Sequence, residues 1–205
     1  MKIFDSLTEK EKKILIKLEE QDANERGQSI DRKFRLRQIP RETGEFLFNL
    51  VSSSINSHNS EWKGLEIGGS GGYSTLWQGL ALKQKGKGSF ISLEIDEKKV
   101  QIAKPNLESV GLSDYVTLML TDAKEYVKNT KIKFNYVFLD AEKEDYLYYL
   151  QTLLHKVEPG CIWVADNVIS HASDMKEFID FLDEEKNLKY TILTIGKGLA
   201  FIQIQ

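Results

Sequence analysis

The sequence is short of the features that mark specialised classes of protein, and each shortage excludes something. Cys161 is the single cysteine in 205 residues, so no intrachain disulfide can form. Its position in an apolar run reads as a buried structural thiol rather than a nucleophile. No apolar stretch approaches the roughly 20 residues of a membrane-spanning helix. The amino terminus is charged and lacks the apolar core of a secretory leader. These absences point to a cytoplasmic protein with no membrane partner. The formal net charge is only −3, which argues against wholesale binding to nucleic acid or anionic membranes. The three histidines, His58, His155 and His171, share no metal-ligand spacing. There is no internal repeat, low-complexity tract or sign of a second large domain.

What is present is an ordinary globular composition, 41% hydrophobic and 29% charged, of a length that suits one domain with a sizeable core. Residues 7–20 read as a helix with Leu7, Ile14, Leu15 and Leu18 on one face. Residues 21–41 break that pattern and gather Arg26, Arg32, Lys33, Arg35, Arg37 and Arg41, which reads as a surface arm or lid. Pro40 and Thr43 introduce a further helix to about residue 54. The expected division is therefore 1–41, an N-terminal helix and basic arm, and 42–205, the main domain.

From Trp62 onward strands and helices alternate. Strands are expected at 63–67, 89–95, 115–120, 134–139, 160–165, 189–195 and 199–204. Helices are expected at 73–84, 97–110, 123–129, 145–157 and 173–186. This alternation predicts an α/β fold, a mainly parallel sheet with helices on both faces. Gly196-Lys197-Gly198 joins the last two strands too tightly for a crossover, so the final strand should be antiparallel.

Five of the strands carry an acidic group at or near their carboxyl ends: Glu66, Glu94, Asp122, Asp140 and Asp166, the last followed by Asn167. In open α/β sheets that edge binds ligands near the point where strand order reverses. After the first strand, Gly68-Gly69-Ser70-Gly71-Gly72-Tyr73-Ser74 forms a glycine-rich turn into a helix. It does not satisfy the Gly-x-Gly-x-x-Gly dinucleotide fingerprint, because Ser70 or Ser74 occupies a required glycine in either register. An acid after the second strand, Glu94, suits a ribose diol.

Taken in order, Glu66-x-Gly68-x-x-x-Gly72-Tyr73-Ser74, Leu93-Glu94-Ile95-Asp96, Asp122-Ala123, Asp140-Ala141-Glu142-Lys143 and Ala165-Asp166-Asn167-Val168 resemble the metal-dependent S-adenosylmethionine O-methyltransferases. That family includes the catechol and caffeoyl-coenzyme A enzymes and microbial relatives, and the likeness runs from about residue 38 to the terminus. The resemblance implies a Rossmann-like class I methyltransferase fold with seven strands, and a homodimer. It assigns Glu66, Gly68, Gly69 and Ser74 to the methionine end of the cofactor, counts Gly72 and Tyr73 among the cofactor-binding residues, and places Ile39 nearby. It gives Glu94 to the ribose, Asp122 and Ala123 to the adenine edge, and Asp140 to the cofactor's surroundings as well. Asp140, Asp166 and Asn167 match the metal ligands, and Lys143, beside Asp140, matches the catalytic lysine.

Two carboxylates and an amide make an all-oxygen set suited to Mg²⁺ and unlike the nitrogen and sulfur sets of zinc. Taken singly, Asp122, Asp145 and Asp166 read as helix caps, and Lys143 as a solvated surface residue. Tyr146, Tyr148 and Tyr149 read mostly as packing, and His171 as a loop residue near the acceptor. The acceptor is expected to be a small hydroxylated molecule such as a catechol. Two alternatives stand beside it: a hydroxylated tRNA base, with the arm's cations on phosphates, or a non-catalytic cofactor-binding protein.

Overall fold

The computed structural model describes residues 2–28, 30–31, 34–56 and 61–204. His58, Arg32 and Lys33 therefore lie outside the described residues. A short helix α1 (Ile3–Ser6) and a long helix α2 (Glu9–Gly27) open the chain, followed by α3 (Arg41–Asn56). The remaining order is β1 (Lys63–Ile67), α4 (Tyr73–Lys85), β2 (Ser89–Glu94), α5 (Glu97–Ser109), β3 (Val116–Leu120), α6 (Ala123–Asn129) and β4 (Phe134–Leu139). A 3₁₀ turn at Lys143–Asp145 leads into α7 (Tyr146–Leu153), then β5 (Val157–Asp166), α8 (Lys176–Glu184), β6 (Leu188–Leu193) and β7 (Leu199–Ile204).

The seven strands form one sheet in the order β3-β2-β1-β4-β5-β7-β6. β1 to β5 pair in parallel, and β7 is antiparallel to both of its neighbours. The Rossmann-like class I methyltransferase architecture expected from the sequence is thus borne out. Strand alternation divides the core in two, because successive side chains point to opposite faces. Tyr136, Phe138 and Val164 join the cluster under α2, α3 and α4, while Val137, Leu139, Trp163 and Ala165 join the cluster under α7 and α8. Every residue of β4 is buried, as a central parallel strand covered on both faces must be. Cys161 is fully buried on β5.

The structure departs from the sequence reading at the amino end. The expected single helix over 7–20 is interrupted at Leu7, and Thr8 starts a new one through a capping box with Glu11. That helix continues to Gly27, through the first third of what reads as an irregular arm. Leu15, Leu18, Leu36 and Ile39 are buried in the same cluster as Tyr73 and Trp77 of α4. Close packing of α3 on α4 requires Gly44, where a Cβ would overlap the Trp77 indole.

Smaller differences have local causes. α7 starts after a 3₁₀ turn and ends at Leu153, and α8 is confined to Lys176–Glu184, shorter than the 173–186 expected. β5 begins at Val157 because the chain passes Pro159 and Gly160 in an irregular stretch before Ile162 pairs with Tyr136.

Candidate active site

Strand order reverses between β1 and β4, and their carboxyl ends lie level with that of β2: Ile67 pairs with both Leu93 and Leu139. The chain crosses this edge tightly. Gly68 and Gly69 both donate their N–H to Leu93 O, and Asp140 N–H donates to Ile67 O, each at 3.0 Å. Gly68 has φ +98°, and a Cβ there would overlap the Asp140 carbonyl, so glycine is needed twice over.

A cavity of about 770 Å³ opens above this edge, large enough for a nucleoside ligand together with a small molecule. Gly68, Glu94, Asp122, Ala123, Asp140, Lys143 and Asn167 from the expected set all line it. Ile39, Glu66, Gly69, Gly72, Tyr73, Ser74 and Asp166 do not line this cavity. Glu66 does not emerge at the edge with the other acids. It is fully buried below the glycine-rich turn, accepting hydrogen bonds from Thr75 Oγ1, Gln78 Nε2 (2.9 Å) and Ser92 Oγ (2.6 Å). Burial pushes its carboxyl above the ordinary range, against the pull of the Ser74, Ser92 and Thr75 hydroxyls. Tyr73 is buried and donates its hydroxyl to Glu19 on α2, and Ser74 and Gly72 form the first turn and cap of α4. Ile39 lines a separate, smaller cavity.

Glu94 is held by three backbone donors. Ser70 N–H reaches Oε2 at 2.6 Å, and Ile95 and Asp96 N–H reach Oε1 at 2.9 and 2.8 Å. Asp122 accepts from Lys124 N–H at 2.7 Å, so it caps α6 and lines the cavity at once. Asp145 makes no capping hydrogen bond. Its carboxylate instead meets Lys124 Nζ at 2.7 Å.

At the other end, Lys143 Nζ donates to Asp140 Oδ1 (3.0 Å), Ala141 O (2.8 Å) and Tyr146 OH (2.9 Å), three acceptors for the three protons of an ammonium. Tyr146 OH in turn donates to Asp166 O at 3.3 Å. Tyr146 also packs edge-on against Phe178, so it combines packing with a polar bridge that its place in an aromatic stretch does not advertise. Asp166 is fully buried. Asn167 Nδ2 donates to its Oδ2 at 2.7 Å, whereas its Oδ1 is a buried acceptor with no partner among the described residues. Loss of solvent and the nearby Asp140 charge push the Asp166 carboxyl up to about 7, opposed by Asn167, Lys143 and Lys197.

Among the described residues, three non-glycine residues have left-handed backbone, Arg37 (φ 51°), Ser70 (φ 47°) and Asn167 (φ 70°), and all three line this cavity. Such conformations cost free energy and cluster at ligand sites. Arg37 pairs with Glu142 at 2.6 Å, and Leu36 O accepts from Ser70 Oγ at 2.6 Å, so residues 36 and 37 cross over the glycine-rich turn. Ser70, Lys99 and Lys124 also line the cavity and were not singled out by the sequence, because no motif separates them from solvated polar residues; Arg37 was read only as one of the arm's cations. The arm's described arginines are engaged within the chain: Arg35 with Ile30 O, Arg37 with Glu142 and Arg41 with Glu19. His171 lines the cavity, and His155 is exposed.

Among the described residues, no three His, Cys, Asp or Glu side chains gather so as to hold a metal ion. The expected set supplies only two carboxylates, and its third ligand is the Asn167 amide. The unpartnered Asp166 Oδ1, beside a second carboxylate that raises its proton affinity, is nonetheless the environment a hard cation would relieve. No helix among the described residues is long and apolar enough to cross a membrane.

Residues 7–203 match the family model described as O-methyltransferase. A catechol O-methyltransferase of Niastella koreensis is 35% identical over 117 residues, 55% of this chain and 52% of that protein. One from Mycobacterium tuberculosis is 31% identical over 143 residues, 69% of this chain and 62% of that protein. The matched region thus spans between half and two thirds of either curated relative. The crystal structure of an O-methyltransferase from Bacillus cereus in complex with SAH has the same fold, with a TM-score of 0.73, 24% identity, and 94% and 91% of the two chains covered.

Proposed function

The chain belongs to the O-methyltransferase family, and on that premise we propose that it moves the methyl group of S-adenosylmethionine to a hydroxyl of a small, catechol-like acceptor. The observation that carries this reading is one cavity with two chemically different ends. Glu94, locked by three backbone N–H groups, presents its remaining lone pairs to a diol such as a ribose. Asp122 and Ala123 line the same end and suit the adenine edge. Gly68 brings the backbone close enough for the methionine portion to pass between these groups and Asp140. Glu66, Gly69, Gly72, Tyr73 and Ser74 support that end from below, by shaping the turn and the start of α4.

At the far end, Asp140, Asp166 and Asn167 would hold Mg²⁺, and the unpartnered Asp166 Oδ1 supports that fit. A dication there, when bound, lowers the pKa of a coordinated acceptor hydroxyl and fixes its position. Lys143 would receive the hydroxyl proton. Its ammonium now spends all three protons on Asp140, Ala141 and Tyr146, so it can serve as base only after surrendering one of these bonds. Holding acceptor oxygen, methyl carbon and sulfur in line should supply much of the remaining rate.

In this reading residues 1–41 form a cover over the site and 42–205 the methyltransferase core, an arrangement supported by residues 36 and 37 crossing the glycine-rich turn. A homodimer is the assembly the family resemblance implies, and analytical ultracentrifugation tests it. Methyl transfer from labelled S-adenosylmethionine to catechols and to bulk tRNA, with Mg²⁺ or EDTA, tests the reaction. Transfer to a catechol that needs Mg²⁺ and disappears in Asp166→Ala is expected. Transfer confined to tRNA would move the substrate class, and cofactor binding without transfer to either would refute the enzymatic reading.

A further inference from the structure

A second cavity of about 270 Å³ adjoins the main one, sharing Arg26 and Lys197 as walls. Glu19, Asp22, Gln38 and Arg41 complete its polar lining. Most charges here are already matched. Arg26 Nε donates to Asp22 at 2.6 Å, and Arg41 Nε donates to Glu19 at 2.9 Å. Two groups are left over. Gln38 is only 7% exposed, yet among the described residues neither its Nε2 nor its Oε1 has a hydrogen-bond partner. The Lys197 ammonium makes no ion pair or hydrogen bond among the described residues, although its field reaches Asp166.

The root of Lys197 is fixed. Its carbonyl accepts from Ile169 and Ser170 N–H at 3.3 and 3.0 Å, and Gly198 O accepts from Val168 N–H at 3.1 Å. Gly196 N–H donates to Glu42 Oε1 at 3.0 Å. The hairpin tip is therefore fastened to the loop that follows Asn167, at the acceptor end of the site. A buried amide without a partner is unfavourable unless a ligand completes it, and the half-buried Lys197 ammonium on the same cavity supplies a charge for such a ligand.

We propose that this second cavity is a subsite for a carboxylate carried by the acceptor, held by the Lys197 ammonium and the Gln38 amide N–H₂. The inference rests on the methyl-transfer reading above, since it assumes that the acceptor's hydroxyls lie toward Lys143. An ammonium and one amide donor match a compact anion, and Arg26 is already committed to Asp22. A neutral acceptor leaves Gln38 unpaired, and a cationic one meets Lys197.

Equilibrium binding of 3,4-dihydroxybenzoate, catechol and dopamine, by calorimetry with S-adenosylhomocysteine and Mg²⁺ present, tests the subsite. The wild type is expected to favour 3,4-dihydroxybenzoate over catechol by about tenfold or more, the worth of a charge-assisted hydrogen bond. Lys197→Met should lower that ratio about tenfold, Lys197→Arg should keep it, and Lys197→Glu should turn the preference toward dopamine. Gln38→Leu should lower it severalfold. An equal ratio in wild type and Lys197→Met, or a wild-type preference for catechol, would overturn the proposal. Turnover measured in parallel separates the two readings. A binding preference without methyl transfer keeps the subsite and removes the reaction, whereas transfer without a preference does the reverse.

Discussion

Replacing Asp166 by asparagine should make the metal-free protein more stable, and more so at pH 8 than at pH 5. The folded carboxyl titrates at about 7, against 3.8 for an ordinary aspartate, because it is buried beside Asp140. The folded state therefore binds this proton up to about pH 7 and the unfolded state only to about pH 4. This group's contribution to stability is highest at low pH and is lost as pH rises toward 7. At about 1.4 kcal/mol per unit, the three-unit gap sets a ceiling of about 4 kcal/mol on the penalty at pH 8, and about 1.5 kcal/mol at pH 5. The attraction of Asn167, Lys143 and Lys197 is already included in that gap. Asparagine keeps the shape without the charge, so Asp166→Asn should recover much of the penalty. For a chain of this size each kcal/mol is worth about 2–4 °C. Thermal unfolding in EDTA should show a gain of several degrees at pH 8 and a smaller one at pH 5. Mg²⁺ should then raise the wild-type midpoint at pH 8, by about 2.7 kcal/mol at a hundredfold excess over its Kd, and leave the variant unmoved. An equal gain at both pH values, or a less stable variant at pH 8, would refute this account of Asp166.

Two further outcomes are expected. Lys143→Met should lower kcat by about 10²–10⁴ with little change in KM for the acceptor, as loss of a positioned base does, measured by steady-state methyl transfer. Gly68→Ala should weaken S-adenosylhomocysteine binding in calorimetry and lower the melting temperature, because it forces a Cβ onto the Asp140 carbonyl at a left-handed position.

The pattern of strands and helices was legible because it is local. Runs such as Tyr136-Val137-Phe138-Leu139 can bury both faces only inside a covered parallel sheet, and the short link around Lys197 between β6 and β7 permits only an antiparallel return. The end of such a strand also fixes where Glu94, Asp140 and Asp166 arrive, since the pleat and register leave no freedom there. Glu66 was misplaced by the same rule, because it stands one residue before the end of β1 and the pleat turns it beneath the turn instead of out of it. The amino-terminal stretch was misread because its charges look solvated in sequence. In the fold, Asp22 and Glu25 are acceptors for the Gln38 and Leu36 backbone N–H groups, and that pairing spans a distance no periodicity records.

By itself, the sequence determined the sheet, the row of acids on its edge and the family they resemble, all consequences of side-chain period and strand length. Tertiary structure alone decided which of those groups share a cavity, that β7 enters between β5 and β6, and that Tyr146 reaches the Asp166 carbonyl. It also decided that Gln38 and Lys197 are left facing a space with no partner. Those outcomes depend on distances between segments far apart in the chain, set by packing of the whole core rather than by any local preference of the residues involved.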